Sequence, residues 1–186
     1  MRHSRAVAEV ASWLATRIEA MGIAVDRPLV EAAALLHDVD KLVPARDRAR
    51  RLPHGEGSAD WLSRQGHPEL HRAVANHPVT RLVDAEAFER WAAFATREER
   101  IVSYADKRAG QRLEPMDARF ATWARRDRGR AEAWTDDVTR ATRARAARLE
   151  ADICRAAGIA PGEVGRLGWT GKAIAAARAA RRTQIR

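Results

Sequence analysis

The sequence predicts an all-α protein, and three observations carry that prediction. Apolar residues recur at helical spacing along most of the 186-residue chain. Glycine and proline fall at the ends of those stretches rather than inside them. Runs that alternate with period two are few, and β-branched residues are sparse.

Residues 4–22 carry Val7, Val10, Leu14 and Ile18 on one face and stop near Gly22. Asp26 and Pro28 suit the start of a second helix, because proline is tolerated in a first turn, and the pattern continues to about residue 40. Residues 56–65 form a short helix closed by Gly66. Pro68 opens the next, with Leu70, Ala73, Val74 and His77 along one face before Pro78 ends it. Asp84 caps a helix running through Trp91 and Ala95. "TREE" at 96–99 reads as a capping box of Thr96 with Glu99, leading into a helix that ends at Gly110. Further helical patterns occupy 115–126, 136–157 and 170–183.

The composition, 46% hydrophobic with 32% charged residues, is that of a globular chain able to bury a core. A single cysteine, Cys154, leaves no intramolecular disulfide and suits a reducing compartment. The start "MRHSRAVAEV" lacks the apolar core of a signal peptide, and no stretch approaches a membrane span. The expected location is the cytoplasm, with no membrane partner. Charge is unevenly placed: residues 1–118 hold 18 basic and 18 acidic residues, while 119–186 hold 16 and 7, which is the whole net charge of +9. The chain therefore divides into a neutral body, 1–118, and a basic Arg/Ala-rich helical extension, 119–186, packed on the body or appended to it. The extension suits weak electrostatic contact with nucleic acid, or is simply a solvated arginine-rich face. With 31 arginines against three lysines, arginine abundance alone discriminates little.

The histidines say more. His3 continues the inward stripe of Val7 and Val10, and His37 follows Ala33 by one turn with Asp38 beside it. His77 shares the face of Leu70, Ala73 and Val74, and Asp106 falls one turn after Val102 in "RIVSYADKR". Any one of these is more often a hydrogen-bonded core residue than a ligand. Four helices aiming such groups inward point to an ion, because buried charge needs a partner or a metal. Mixed imidazole and carboxylate donors suit Fe, Mn, Co, Ni or Zn. His67 and His71 have a one-helix-face spacing, but Pro68 pushes His67 out of helical geometry, so this pair is not expected to bind metal.

His3 in "HSRAVA", the doublet His37–Asp38 in "ALLHDVDKLVP" and Asp106 in "IVSYADKR" resemble the HD superfamily of metal-dependent phosphohydrolases, over roughly residues 3–110. The resemblance implies a helical bundle of the HD type, with the C-terminal helices as additions. It also implies that His3, His37, Asp38 and Asp106 bind a divalent metal. His54 in "HGEGSADWL" and His77 in "VANHPVT" match the extra histidines of the two-metal branches, and "HDVDK" resembles the HDxxK motif of bacterial diadenosine-tetraphosphate hydrolases. On that resemblance two ions are expected, with Asp38 bridging them and His54 and His77 completing the second site. The family often has glycine where Asp40 stands, so this extra carboxylate is expected to face solvent or to pair with a basic residue. The "GYP" segment of cyclic-di-GMP phosphodiesterases is absent.

The implied activity is hydrolysis of a phosphate ester or anhydride, most simply of a small-molecule nucleotide, by a phosphomonoesterase, phosphodiesterase or dinucleoside polyphosphate hydrolase. Asp38 and Lys41 are the expected catalytic residues. The Lys41 ammonium, one turn past the doublet, either meets a substrate phosphate or pairs with Asp38 or Asp40. Arg51, within the basic run Arg46, Arg48, Arg50 and Arg51, together with Lys107 and Arg108, either lines a substrate rim or belongs to solvated surface. The competing class is a basic nucleic-acid-binding or sensing protein with a non-catalytic core.

Overall fold

A computed structural model describes residues 2–110, 113–126 and 135–164. Helix α1 (Arg2–Ala20) is the spine: Val7, Val10, Leu14 and Ile18 are fully buried. It packs on α2 (Arg27–Leu36), on α6 (Arg97–Arg108) and on α8 (Asp136–Ala157). Between them lie α3 (Glu56–Arg64), α4 (His71–Ala75) and α5 (Ala85–Phe94), followed after α6 by α7 (Met116–Arg126). A one-turn α9 (Pro161–Val164) follows α8. Among the described residues there is no strand, only an isolated bridge between Ala109 and Leu113. The fold is all-α.

Helix starts follow their caps. The Asp26 side chain accepts the Leu29 N–H at 3.0 Å, and Asp84 accepts that of Ala87 at 2.8 Å. Thr96 and Glu99 form both halves of the capping box. Helix α8 spans the expected 136–157, started by Thr135 and ended by Gly158 in the left-handed region at φ +63°. The pattern at 170–183 lies outside the described residues.

Two elements differ from expectation. The second helix stops at Leu36 instead of running to residue 40, and the chain tightens into a 3₁₀ turn at Val39–Lys41. In an unbroken α-helix His37 and Asp38 would point about 100° apart; the break lets both reach one centre. Likewise, the helix opened by Pro68 is a 3₁₀ turn, Pro68–Leu70, followed by the short α4.

From Ile101 onward α6 has no solvent face: every residue from 101 to 110 is buried. On one side are α1 and α2, on another α4, and on a third α8. Leu149, Ile153, Cys154 and Ala157 of α8 are buried in the same core. The described arginines of α8 turn largely to the protein itself. Arg145 donates to the carbonyls of Leu82 and Val83, Arg143 pairs with Asp117, and Arg148 with Glu89.

Candidate metal centre

Five segments converge on one point. His3 comes from α1, His37 and Asp38 from the broken end of α2, His54 from the loop before α3, His77 from the residue pair after α4, and Asp106 from the last turn of α6. His37 and His77 are 0% and 1% exposed, and Asp106 8%.

The six side chains form two groups that share Asp38. In the first, His3 Nε2 lies 3.0 Å from His37 Nε2 and 3.1 Å from Asp106 Oδ1. Asp38 Oδ2 stands 3.7 Å from both imidazoles. In the second, His54 Nε2 lies 3.2 Å from His77 Nε2 and 3.2 Å from Asp38 Oδ1, which is 3.9 Å from His77 Nε2. Donors about 2.1 Å from a common ion at tetrahedral angles stand about 3.4 Å apart. Both groups fit that span.

The outer nitrogen of every ring is engaged. His37 Nδ1–H donates to the Ala34 carbonyl at 2.6 Å, His77 Nδ1–H to that of Val74 at 2.6 Å, and His3 Nδ1–H to that of Gly110 at 3.2 Å. A carbonyl can only accept, so each of these Nδ1 atoms carries hydrogen and each Nε2 is left to offer its lone pair inward. Two such lone pairs 3.0 Å apart repel unless a cation or a proton lies between them. The donor set therefore fits a divalent transition metal.

The electrostatics agree. Burial pushes the pKa of His37 down and that of His77 well below the usual imidazole value, so both rings are neutral. Burial would also lower His54, but hydrogen bonds to Asp38 and Asp40 override it and raise the group to about 9. His3 is likewise raised despite burial, chiefly by its hydrogen bond to Asp106. Burial works against the charge of Asp106 and Asp38, yet His3 on the one and His54 on the other hold both pKa values below the usual carboxylate range. Without metal, His3 and His54 thus hold a proton against the carboxylates of Asp106 and Asp38, and a bound cation would take its place.

Around the centre, Lys41 Nζ donates to Asp38 Oδ1 at 2.6 Å with its side chain 55% exposed, so the ion pair is the arrangement observed. Arg51 stands exposed on the 3₁₀ turn Arg48–Arg51, and Arg50 donates to the Asp40 carbonyl at 3.1 Å. Lys107 and Arg108 are not on a substrate rim. Lys107 is fully buried and donates to the carbonyls of His77 and Ser103 and to the Ser103 hydroxyl, at 2.9–3.0 Å. Burial lowers its pKa to about 8. Arg108, 4% exposed, donates to the Tyr104 hydroxyl at 2.8 Å and to Glu150 at 2.9 Å, tying α6 to α8. Both point away because successive residues of a helix wrapped on all sides leave it in different directions.

Asp40 does not face solvent. It is 8% exposed, and its basic partner is the His54 ring. With Ser58 it belongs to a support for His54 that sequence spacing did not reveal; the extra carboxylate two residues past Asp38 was the signal. His67 and His71 lie apart from the centre, His67 beside Glu69 and His71 beside Ser63.

The loop carrying His54 can approach because it bears glycines. Gly55 adopts φ +91°, and a Cβ there would lie 2.7 Å from Pro78 Cγ and 2.8 Å from the Ala75 carbonyl oxygen, just ahead of His77. His54 and His77 are thereby clamped by a backbone contact that a larger residue would open.

The family model described as HD domain matches residues 1–110. No curated protein and no solved structure matches the chain.

Proposed function

The chain belongs to the HD domain family, and on that premise we propose that it is a metal-dependent phosphohydrolase acting on a phosphate ester or anhydride of a nucleotide, with two divalent ions held across Asp38. Members of the family are mostly metal-dependent hydrolases. The observation that carries the two-ion reading is the division of one carboxylate: Asp38 Oδ2 faces His3 and His37, and Oδ1 faces His54 and His77. A mononuclear site would have no use for the second pair of inward lone pairs. Fe, Mn, Co, Ni and Zn all suit these donors.

When bound, two such ions supply Lewis acidity toward phosphate oxygens and bring the pKa of water to about 7. The chain's own groups do the rest. His3, His37 and Asp106 fix one subsite, and His54 and His77 the other, with rings locked by their outer hydrogen bonds. Lys41, at the mouth, offers an ammonium to a substrate phosphate and offsets the charge that grows there during attack. Arg51 is exposed, and a cation there favours a polyanionic substrate. A dinucleoside polyphosphate, as the HDxxK-like sequence "HDVDK" suggests, falls within this class. A non-catalytic reading is disfavoured by the completeness of the donor set.

The test is metal analysis of the purified chain together with a panel of nucleotides and phosphate esters. About two ions per chain and metal-dependent phosphate release are expected. One ion, unaffected by His54→Ala, would return the centre to a mononuclear site.

A further inference from the structure

The four histidines are not oriented in the same way. His3, His37 and His77 each donate Nδ1–H to a main-chain carbonyl. His54 sits on a loop, and its Nδ1–H donates to a side chain, Asp40 Oδ2, at 3.1 Å. That carboxylate is itself built in. The Ser58 hydroxyl donates to Asp40 Oδ1 at 2.8 Å and accepts the Asp40 N–H at 3.0 Å. Arg50 holds the Asp40 carbonyl at 3.1 Å. Ser58 is fully buried, and a Cβ on the adjoining Gly57 would lie 2.2 Å from the Ala49 carbonyl oxygen, so the support is tightly packed.

We propose that Asp40 is a positioning residue of the second cation subsite: it fixes the His54 ring with Nε2 turned toward Asp38 and His77, and its negative charge makes His54 a stronger donor. The inference rests on the two-ion reading and assigns the two subsites different dependences. A main-chain carbonyl orients a ring without a full charge, whereas a carboxylate also raises the basicity of the nitrogen opposite. The first subsite is therefore independent of Asp40, and the second is not.

Calorimetric titration of the metal-stripped full chain with Mn²⁺, repeated with Co²⁺ to read the visible absorption of each equivalent, tests this. Wild type takes two equivalents. Asp40→Asn keeps an acceptor for Nδ1–H but loses the charge, and weakens the second equivalent about 10-fold; Asp40→Ala loses both, and weakens it about 100-fold. The first equivalent keeps its affinity and its Co²⁺ spectrum in both variants. Ser58→Ala, which removes both the donor to Oδ1 and the acceptor of the Asp40 N–H, shifts the second equivalent in the same direction and serves if an Asp40 variant fails to fold. An Asp40→Ala chain that binds both equivalents as wild type does overturns the proposal and leaves the two-ion reading standing. Equal weakening of both equivalents also overturns it, because Asp40 would then be a general structural support. A wild type that takes one equivalent overturns the two-ion reading and the proposal with it.

Discussion

Replacing Asp38 by alanine removes the one side chain common to both subsites, and its effect can be worked out from mass action. A metal that binds only the folded chain at a free concentration 100-fold above its Kd stabilises by about 2.7 kcal/mol per site. For a domain of 150–250 residues each kcal/mol moves Tm by about 2–4 °C, so one filled site raises it by about 5–11 °C and two by about twice that. Asp38→Ala leaves His3, His37 and Asp106 on one side and only His54 and His77 on the other. If each site loses 100-fold in affinity, the same metal concentration equals the new Kd, and the gain falls to about 0.4 kcal/mol per site, or about 1–2 °C. The metal-free variant should melt close to metal-free wild type. It loses the Lys41 and His54 contacts of a half-buried carboxylate but also the cost of desolvating it. Thermal melts with Mn²⁺ and with chelator, plus one phosphate-release assay, check both halves. A Mn²⁺-induced shift in Asp38→Ala as large as in wild type would refute the ligand assignment, and retained hydrolysis would refute the mechanism.

Metal uptake should expel protons. His54 holds its proton to about pH 9 until a cation displaces it, so second-site affinity should fall about tenfold per pH unit below that value; a pH-independent titration would contradict displacement of that proton. Without metal the same group acts in the opposite sense on stability. Its folded pKa lies above 6.5, so its contribution is complete below pH 6.5 and is lost as pH rises through about 9, a slope that His54→Ala should flatten in chelator melts. Lys107, folded at about 8 against 10.5 unfolded, binds fewer protons in the native chain between about pH 8 and 10.5. Stability should therefore rise there by up to about 3 kcal/mol on its account, and Lys107→Met should abolish the rise while leaving the His77 carbonyl without its donor, at about 1–3 kcal/mol. A chain truncated after residue 118 should fail to fold, because Tyr104 and Arg108 lose Glu150, and the core loses Leu149 and Ile153, each worth about 1.5–3 kcal/mol when buried; a native circular dichroism spectrum from that truncation would contradict it.

What the sequence made legible was mostly local. Asp26, Asp84 and the Thr96–Glu99 box announce helix starts through side-chain chemistry within three residues, and periodicity placed His3, His37, His77 and Asp106 on inward faces. What it hid depends on distance along the chain or on surroundings. The break after Leu36 brings two adjacent residues to one point, and no local propensity in the sequence announces it. Lys107 and Arg108 looked like surface cations because their types usually are; only the enclosure of α6 on every side makes them internal. Asp40 finds Ser58 across 18 positions, a pairing that emerges only when the glycine-bearing loop folds back.

The enclosure of α6 also bears on how this chain can vary. An ordinary amphipathic helix keeps a wet side on which substitutions drift almost freely. Residues 101–110 have none: three consecutive positions, 106 to 108, serve the centre, the His77 carbonyl and α8 in turn. In a saturation scan this decapeptide should tolerate the fewest alternatives of any window in the described chain, including at positions far from any reacting atom. Change there has to arrive in compensated pairs, so that the history of α6 is tied to that of α8.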